Sequence, residues 1–308
     1  MVNREARMVT STGMHLEKIL ENHRGWIEKR AGGVRADLTG YTMNESRLEG
    51  VDLSHAILRG VFLMESELSE ANLSHTSLEL ADLRKSVLTS ADLTSADLSQ
   101  AKCDHIWMPN ASFIEAKLIG VAMRKANLQG VRFMDAVLQG SDFSWSNAAK
   151  ASFHQARIFE CVFTDANLQK ALFYHSRIQL SRFRGASLQE ANLSGAQLID
   201  CDFASADFTE AKLPKADLTR SSFTRATLSF CDLREASLKG ASFNGADLRG
   251  SRLGGANLYT TDFRGADLTS IRELTQDQLS QALTDSDTVL PNGAKGPYLK
   301  RSGAERPR

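Results

Sequence analysis

The sequence has no stretch approaching the ~20 apolar residues that a membrane-spanning helix needs, which argues against a helical integral membrane protein. The segment Met1 to Thr12 lacks the apolar core of a signal peptide, so a cytoplasmic location is expected. Prolines number only 5, three of them beyond position 290, so no stiff Pro-rich linker divides the chain. The 4 cysteines, Cys103, Cys161, Cys201 and Cys231, form no CxxC pair and no metal-ligand spacing. A net charge of zero, from 37 Lys plus Arg against 37 Asp plus Glu, argues against attachment to nucleic acid or an anionic membrane by charge alone. HExxH, GxSxG and Walker signatures are all missing.

What is present is a period of five. From Leu38 onward every fifth residue is large and apolar, through Met43, Leu48, Leu53 and Leu58 to Phe263 and Leu268, with no insertion or deletion. Only Cys103 and Ala148 depart from Leu, Phe, Met or Ile at this position. Two residues earlier runs a second series of small residues, Ala36, Ser46, Val51, Ala56 and so on to Ala266. Asp or Asn often stands between the two, as at Asp37, Asp52, Asn72, Asp82 and Asp92, so the consensus is A-(D/N)-L-x-x. This period fits neither a 3.6-residue helix nor a 2-residue strand. A five-residue unit cannot bury a face alone, so the core must come from stacking of successive coils.

The pattern closely resembles the pentapeptide-repeat family, over Val34 to Ser270. The resemblance implies an all-β solenoid, a right-handed four-sided β-helix with four pentapeptides per coil and about twelve coils, its large and small positions pointing inward. A separate pattern in the sequence agrees with a 20-residue coil. Phe143, Phe163, Phe183, Phe203, Phe223, Phe243 and Phe263 are spaced at that interval, as are Phe113, Phe133, Phe153 and Phe173. These are expected to form two ladders of stacked rings. Cys161, Cys201 and Cys231 fall in the small inward position and Cys103 in the large one, so all four are expected as buried apolar residues.

Solenoids expose their core at the ends and need caps. From His15 to Arg30, Leu16, Ile19, Leu20, Trp26 and Ile27 recur at helical spacing, and Gly32-Gly33 ends the pattern. This predicts a capping helix with Trp26 filling the open end; a partner-binding or membrane-surface helix is the alternative. Thr275 with Gln278 reads as a capping box, flanked by Leu274 and Leu279 as a staple, and predicts a short helix to about Leu283. A flexible tail is expected from Leu290. The division is therefore 1–33 for the N-terminal segment with its helix, 34–270 for the β-helix, and 271–308 for the C-terminal helix and tail. The LTQDQL and LPNG stretches resemble those of bacterial members of the family.

His55 and His75, 20 residues apart, should stack on one outer corner. Asp and Asn recur at one repeat position on every face, which makes them turn residues rather than paired catalytic carboxylates. An uninterrupted run of repeats leaves no long loops to build a catalytic groove, so no enzyme, cofactor or metal is expected. Function must then lie on the faces. Val34 to Glu115 carries 6 basic and 13 acidic residues, net −7, whereas Ala116 to Glu190 carries 10 basic and 5 acidic, net +5. Outward positions in the middle coils also turn apolar. Ile114 and Met134 are followed at the same interval by His154 and Tyr174, and Ile119, Phe159 and Ile199 lie on the adjoining face beside Val137 and Leu180. These predict a protein-binding stripe, serving a partner or a homodimer. Trp107 and Trp145 also point outward by phase.

The leading reading is a non-catalytic binding scaffold for an unidentified protein, with neither direct nucleic-acid binding nor membrane attachment. The resemblance also implies two alternatives. Some members of the family are dimeric, strongly acidic mimics of DNA that bind gyrase and topoisomerase IV, some with loops projecting from the coils. This chain is longer, neutral overall and without loops. Other members resemble secreted effectors acting on host membranes or trafficking.

Overall fold

The computed structural model describes residues 16–307; His15 and Met1 to Thr12 lie outside them. From Asp37 onward the chain is a parallel β-solenoid. Residues 20 apart pair in parallel, as Asp37 with Ile57 and Asp52 with Asn72, and a turn follows every fifth residue, so each coil has four sides. The coils group into two compact units, one ending at Asp142 and the other starting at Phe143.

Backbone hydrogen bonding explains the consensus. A donor left unpaired beside a packed core is costly, so each N–H of the pentapeptide needs an acceptor. In the first repeat, Leu38 N–H donates to Ile57 O and Gly40 N–H to Arg59 O in the next coil, while Tyr41 N–H closes the turn onto Leu38 O. In the next coil, Ile57 N–H donates back to Ala36 O. The N–H after the large residue remains. Its acceptor is the Asp or Asn side chain two residues before it: Thr39 N–H donates to Asp37 Oδ1 at 3.0 Å, Ser54 to Asp52 at 2.9 Å and Ser74 to Asn72 at 3.1 Å. The frequent acid or amide is thus a local Asx cap. Every fifth residue from 40 to 270 has positive φ, and most are not glycine. For such residues the left-handed conformation is unfavourable and is imposed by the coil.

The large and small positions are buried along both units. The unit ending at Asp142 is lined mainly by Leu, with Phe113 and Phe133 stacked at 5.1 Å. In the unit from Phe143 a ladder runs from Phe143 to Phe263 with ring centroids 4.7–5.5 Å apart. Phe153 and Phe173 stack at 4.6 Å beside it.

Helix α1, Leu16–Ile27, closes the start of the first unit, but not as its sequence suggests. Trp26 remains 37% exposed, whereas Ile19 and His23 are buried. His23 Nδ1 accepts from Ala36 N–H at 3.1 Å, and its Nε2 lies 3.1 Å from Ser54 O. The edge of the first coil offers both a donor and an acceptor. Imidazole can serve both, while indole can only donate. Trp26 instead stacks on His23, with centroids at 5.7 Å, and meets the edge of His55. Val34 N–H bonds Asn22 O, which brings Gly33 against the helix backbone. A Cβ on Gly33 would lie 2.3 Å from Trp26 N and 2.4 Å from Gly25 C. We expect Gly33→Ala to displace α1 at a cost of about 1–3 kcal/mol. Faster hydrogen exchange of the Ala36 amide would show it; unchanged exchange would refute the close fit.

At the other end Thr275 caps helix α2, Gln276–Leu279, through the expected capping box. The helix stops at Leu279, short of Leu283, because the chain rejoins the solenoid there: Leu283 N–H donates to Thr261 O, and Leu283 pairs with Asp262. Gln278 Nε2 reaches Leu253 O and Ala256 O, each at 2.9 Å, and satisfies carbonyls at the end of the core. The segment after Leu290, expected as a flexible tail, folds back. Leu290 is buried, Asn292 N–H donates to Ala304 O, Tyr298 OH donates to Glu305 at 3.1 Å, and Lys300 pairs with Asp277 at 3.0 Å. Burial and the Glu305 carboxylate push the Tyr298 phenol up to about 12.

Candidate protein-binding surface

Most sides of the coils pair through a single residue, but one side forms three-residue strands. In the first unit these are β1, Lys117–Ile119, and β2, Val137–Gln139; in the second they are β3, Arg157–Phe159, β4, Arg177–Gln179, and β5, Gln197–Ile199. The residue before the large position on this side is Lys117, Val137, Arg157, Arg177 or Gln197, so no Asx cap forms there, and Ile, Val and Phe around it favour extended backbone.

In the first unit Lys117 pairs in register with Val137, and Ile119 with Gln139. Lys117 is neutralised by Asp97 at 2.9 Å. Ile114 and Met134 are half-buried on the adjoining side. In the second unit Phe159 pairs with Gln179, and Gln179 with Ile199. Phe159, Tyr174 and Ile199 are half-buried, and Leu180 is 49% exposed in a left-handed corner. Of the eight residues predicted for the stripe, Leu180 alone is exposed while the other seven are half-buried, and Gln139 and Gln179 interrupt the apolar series. Trp107 and Trp145, 51% and 54% exposed, stand outward as their phase predicts.

The surface of the second unit has one feature that the sequence analysis did not single out and one that it gave only as a spacing. Arg157 and Arg177 pair in register, and neither guanidinium meets a carboxylate among the described residues. Most other Arg on this unit have one: Arg220–Asp200 at 2.6 Å, and Arg234–Asp232, Arg249–Asp247 and Arg264–Asp262 at 2.6–2.7 Å. The Arg249 guanidinium holds the Asp247 carboxyl below its usual range, and Arg264 does the same for Asp262. The other feature is an aromatic cluster: His154 stacks on Tyr174 at 4.0 Å, and His175 meets both edge-on. The signal in both cases was the 20-residue spacing of 157 with 177 and of 154 with 174.

His55 and His75 do stack, at 4.6 Å with ring planes 3° apart. All four cysteines are buried, and none is in a disulfide. Burial raises the thiol of Cys201 to about 12 and pushes those of Cys103 and Cys231 up as well, so none of these three is a poised nucleophile. Among the described residues no cluster of His, Cys, Asp and Glu could hold a metal, and no helix is long and apolar enough to cross a membrane.

The fold and this surface define a β-solenoid scaffold. The pentapeptide repeat family model matches residues 34–69 and onward to 201–240, and a second model of pentapeptide repeats matches 223–267. The chain belongs to the pentapeptide-repeat family. Comparison with curated proteins gives no match. Among solved structures, the chain is similar to HetL, a pentapeptide repeat protein involved in heterocyst differentiation regulation in the cyanobacterium Nostoc, at 25% identity over 92% of this chain and 99% of that one, with a TM-score of 0.27. It is also similar to a pentapeptide repeat protein of the Arabidopsis thaliana thylakoid lumen, at 30% identity over 32% of this chain and 74% of that one, TM-score 0.22. A third is QnrB1, a plasmid-mediated fluoroquinolone resistance protein, at 21% identity over 57% of this chain and 82% of that one, TM-score 0.22.

Proposed function

We propose that this chain is a non-catalytic cytoplasmic scaffold that holds another protein on the strand side of its second unit. The observation that carries the reading is the grouping of Arg157, Arg177, Phe159, Tyr174 and Leu180 around β3 and β4. Arg and aromatic residues are the types that dominate binding energy at protein interfaces. Burying Phe159 and Leu180 further would add about 25 cal/mol per Å² of apolar surface. Immobilised natural chain should retain a defined protein from a cell extract. The triple variant Phe159→Ser, Tyr174→Ser, Leu180→Ser should lose it, and Phe230→Ser with Tyr259→Ser, elsewhere on the unit, should keep it. Equal retention by all three would overturn the reading. Light scattering adds the homodimer test: a natural dimer that the triple variant converts to monomer identifies the partner as a second copy.

The acidic stretch from Val34 to Glu115, net −7, favours one second reading, a DNA-like surface that engages gyrase or topoisomerase IV. Inhibition of gyrase supercoiling by the purified chain would support it, and no inhibition would dismiss it.

A further inference from the structure

We infer that the strand side of the second unit recognises an acidic, extended protein segment, with its carboxylates on Arg157 and Arg177 and an apolar side chain against Phe159 and Leu180. The inference rests on the functional reading above and names the chemistry of the partner.

Register and charge carry the argument. Arg157 and Arg177 face each other on β3 and β4, so their backbones are about 4.8 Å apart. Like charges directly opposite on neighbouring strands destabilise a sheet. Elsewhere on this unit Arg and Lys are commonly matched with an acid one coil or two residues away: Lys170 with Glu190, Lys215 with Glu235, Arg220 with Asp200 and Arg249 with Asp247. The next residue in the Arg157–Arg177 register is Gln197, which is neutral. Two guanidiniums therefore stand side by side without an intramolecular acid, and each can take a carboxylate through a two-pronged hydrogen bond. Alternate residues on one side of an extended segment are roughly 6.6–6.8 Å apart. Two long, flexible Arg side chains rooted about 4.8 Å apart span that interval. Along the same strands, Phe159 and Ile199 flank Gln179, with Leu180 exposed at the corner, so the apolar contact lies beside the charge pair. Apolar surface next to a bidentate Arg site favours a protein segment over a nucleic-acid backbone, which offers phosphates and no aliphatic side chains.

The test uses the full chain and a labelled twelve-residue peptide in which Glu-Ser-Glu-Ser-Leu-Ser occurs twice, with binding read by fluorescence anisotropy. Matched probes carry Lys in place of Glu, or consist of twelve-nucleotide single-stranded DNA. The Glu peptide should bind more tightly than both. Arg157→Gln with Arg177→Gln should weaken it at least tenfold, while Arg225→Gln, an exposed arginine elsewhere on the unit, should leave it unchanged. Stronger binding of the DNA, no binding of the Glu peptide, or equal loss with Arg225→Gln would each overturn the inference. If the Glu peptide fails but the natural chain still retains a protein that the triple variant loses, the acidic assignment is wrong and the scaffold reading stands. If both fail, the scaffold reading falls with it.

Discussion

Replacing Phe183 with alanine is expected to cost about 3–5 kcal/mol, the range for removing a large buried aromatic ring. Phe183 stacks on Phe163 at 4.7 Å and on Phe203 at 4.9 Å, and its ring also meets Phe173 edge-on at 6.4 Å. Its side chain is buried, so alanine removes the apolar burial and all three ring contacts together. Each coil is held between its neighbours, so the void cannot close by a hinge or a loop movement. Phe183→Leu, which keeps most of the volume, should cost less than half as much. Urea unfolding of the natural chain and both variants checks the ranking. Hydrogen exchange should localise the loss to the coils around 163–203, because a solenoid unit depends chiefly on its immediate neighbours. A Phe183→Ala cost below about 1 kcal/mol would mean that the ladder is not a main source of stability.

The interior of this fold was readable because its geometry repeats. Leu38 to Leu268 gave the inward side, and the 20-residue spacing of the phenylalanines gave the coil length; the stacked pairs Phe143–Phe163 and Phe223–Phe243, both at 4.8 Å, follow from that spacing alone. The capping box of Thr275 and Gln278 was legible for the same local reason. The ends were less so, because they answer to the polar groups of particular coils. Nothing in the spacing of α1 says that Ala36 N–H and Ser54 O need one residue able both to accept and to donate, which selects His23 over Trp26. Likewise the fold-back after Leu290 depends on side chains such as Tyr298 and Thr284 meeting across the turn, with Tyr298 N–H donating to Thr284 Oγ1 at 2.9 Å. The predicted surface suffered from a different limit. Phase shows that Phe159 and Ile199 point outward, but they are half-buried, with Gln179 between them in register. Charge pairing, by contrast, was within reach of the coil period: Asp200 lies one coil before Arg220 and pairs with it, whereas the residues one coil from Arg157 are Val137 and Arg177, neither of them an acid.

Acid should release α1 through His23. The buried ring is held neutral: burial lowers its pKa from the ordinary 6.5, with Arg35 and His55 acting in the same direction, while the Ser54 carbonyl and Asp52 oppose them. Its hydrogen bonds fix where the proton sits. Nδ1 accepts from Ala36 N–H, so Nε2 carries the hydrogen and donates to Ser54 O. Protonation would put a second N–H against that of Ala36 and remove the bond between α1 and the first coil. The docked ring binds a proton more weakly than the undocked one. The docked state is therefore at full strength above about pH 6.5, and weakens as pH falls below that value by up to tenfold per pH unit, until the docked ring itself protonates. Trp26, stacked on His23, reports the change once Trp107 and Trp145 are replaced by Phe. In that background the fluorescence of Trp26 should shift between pH 6.5 and 4. His23→Gln can still donate to Ser54 O and accept from Ala36 N–H without titrating, and should abolish the shift. His55→Gln, which removes the exposed imidazole beside Trp26, should preserve it. A shift that survives in His23→Gln would place the titrating group elsewhere and refute the latch.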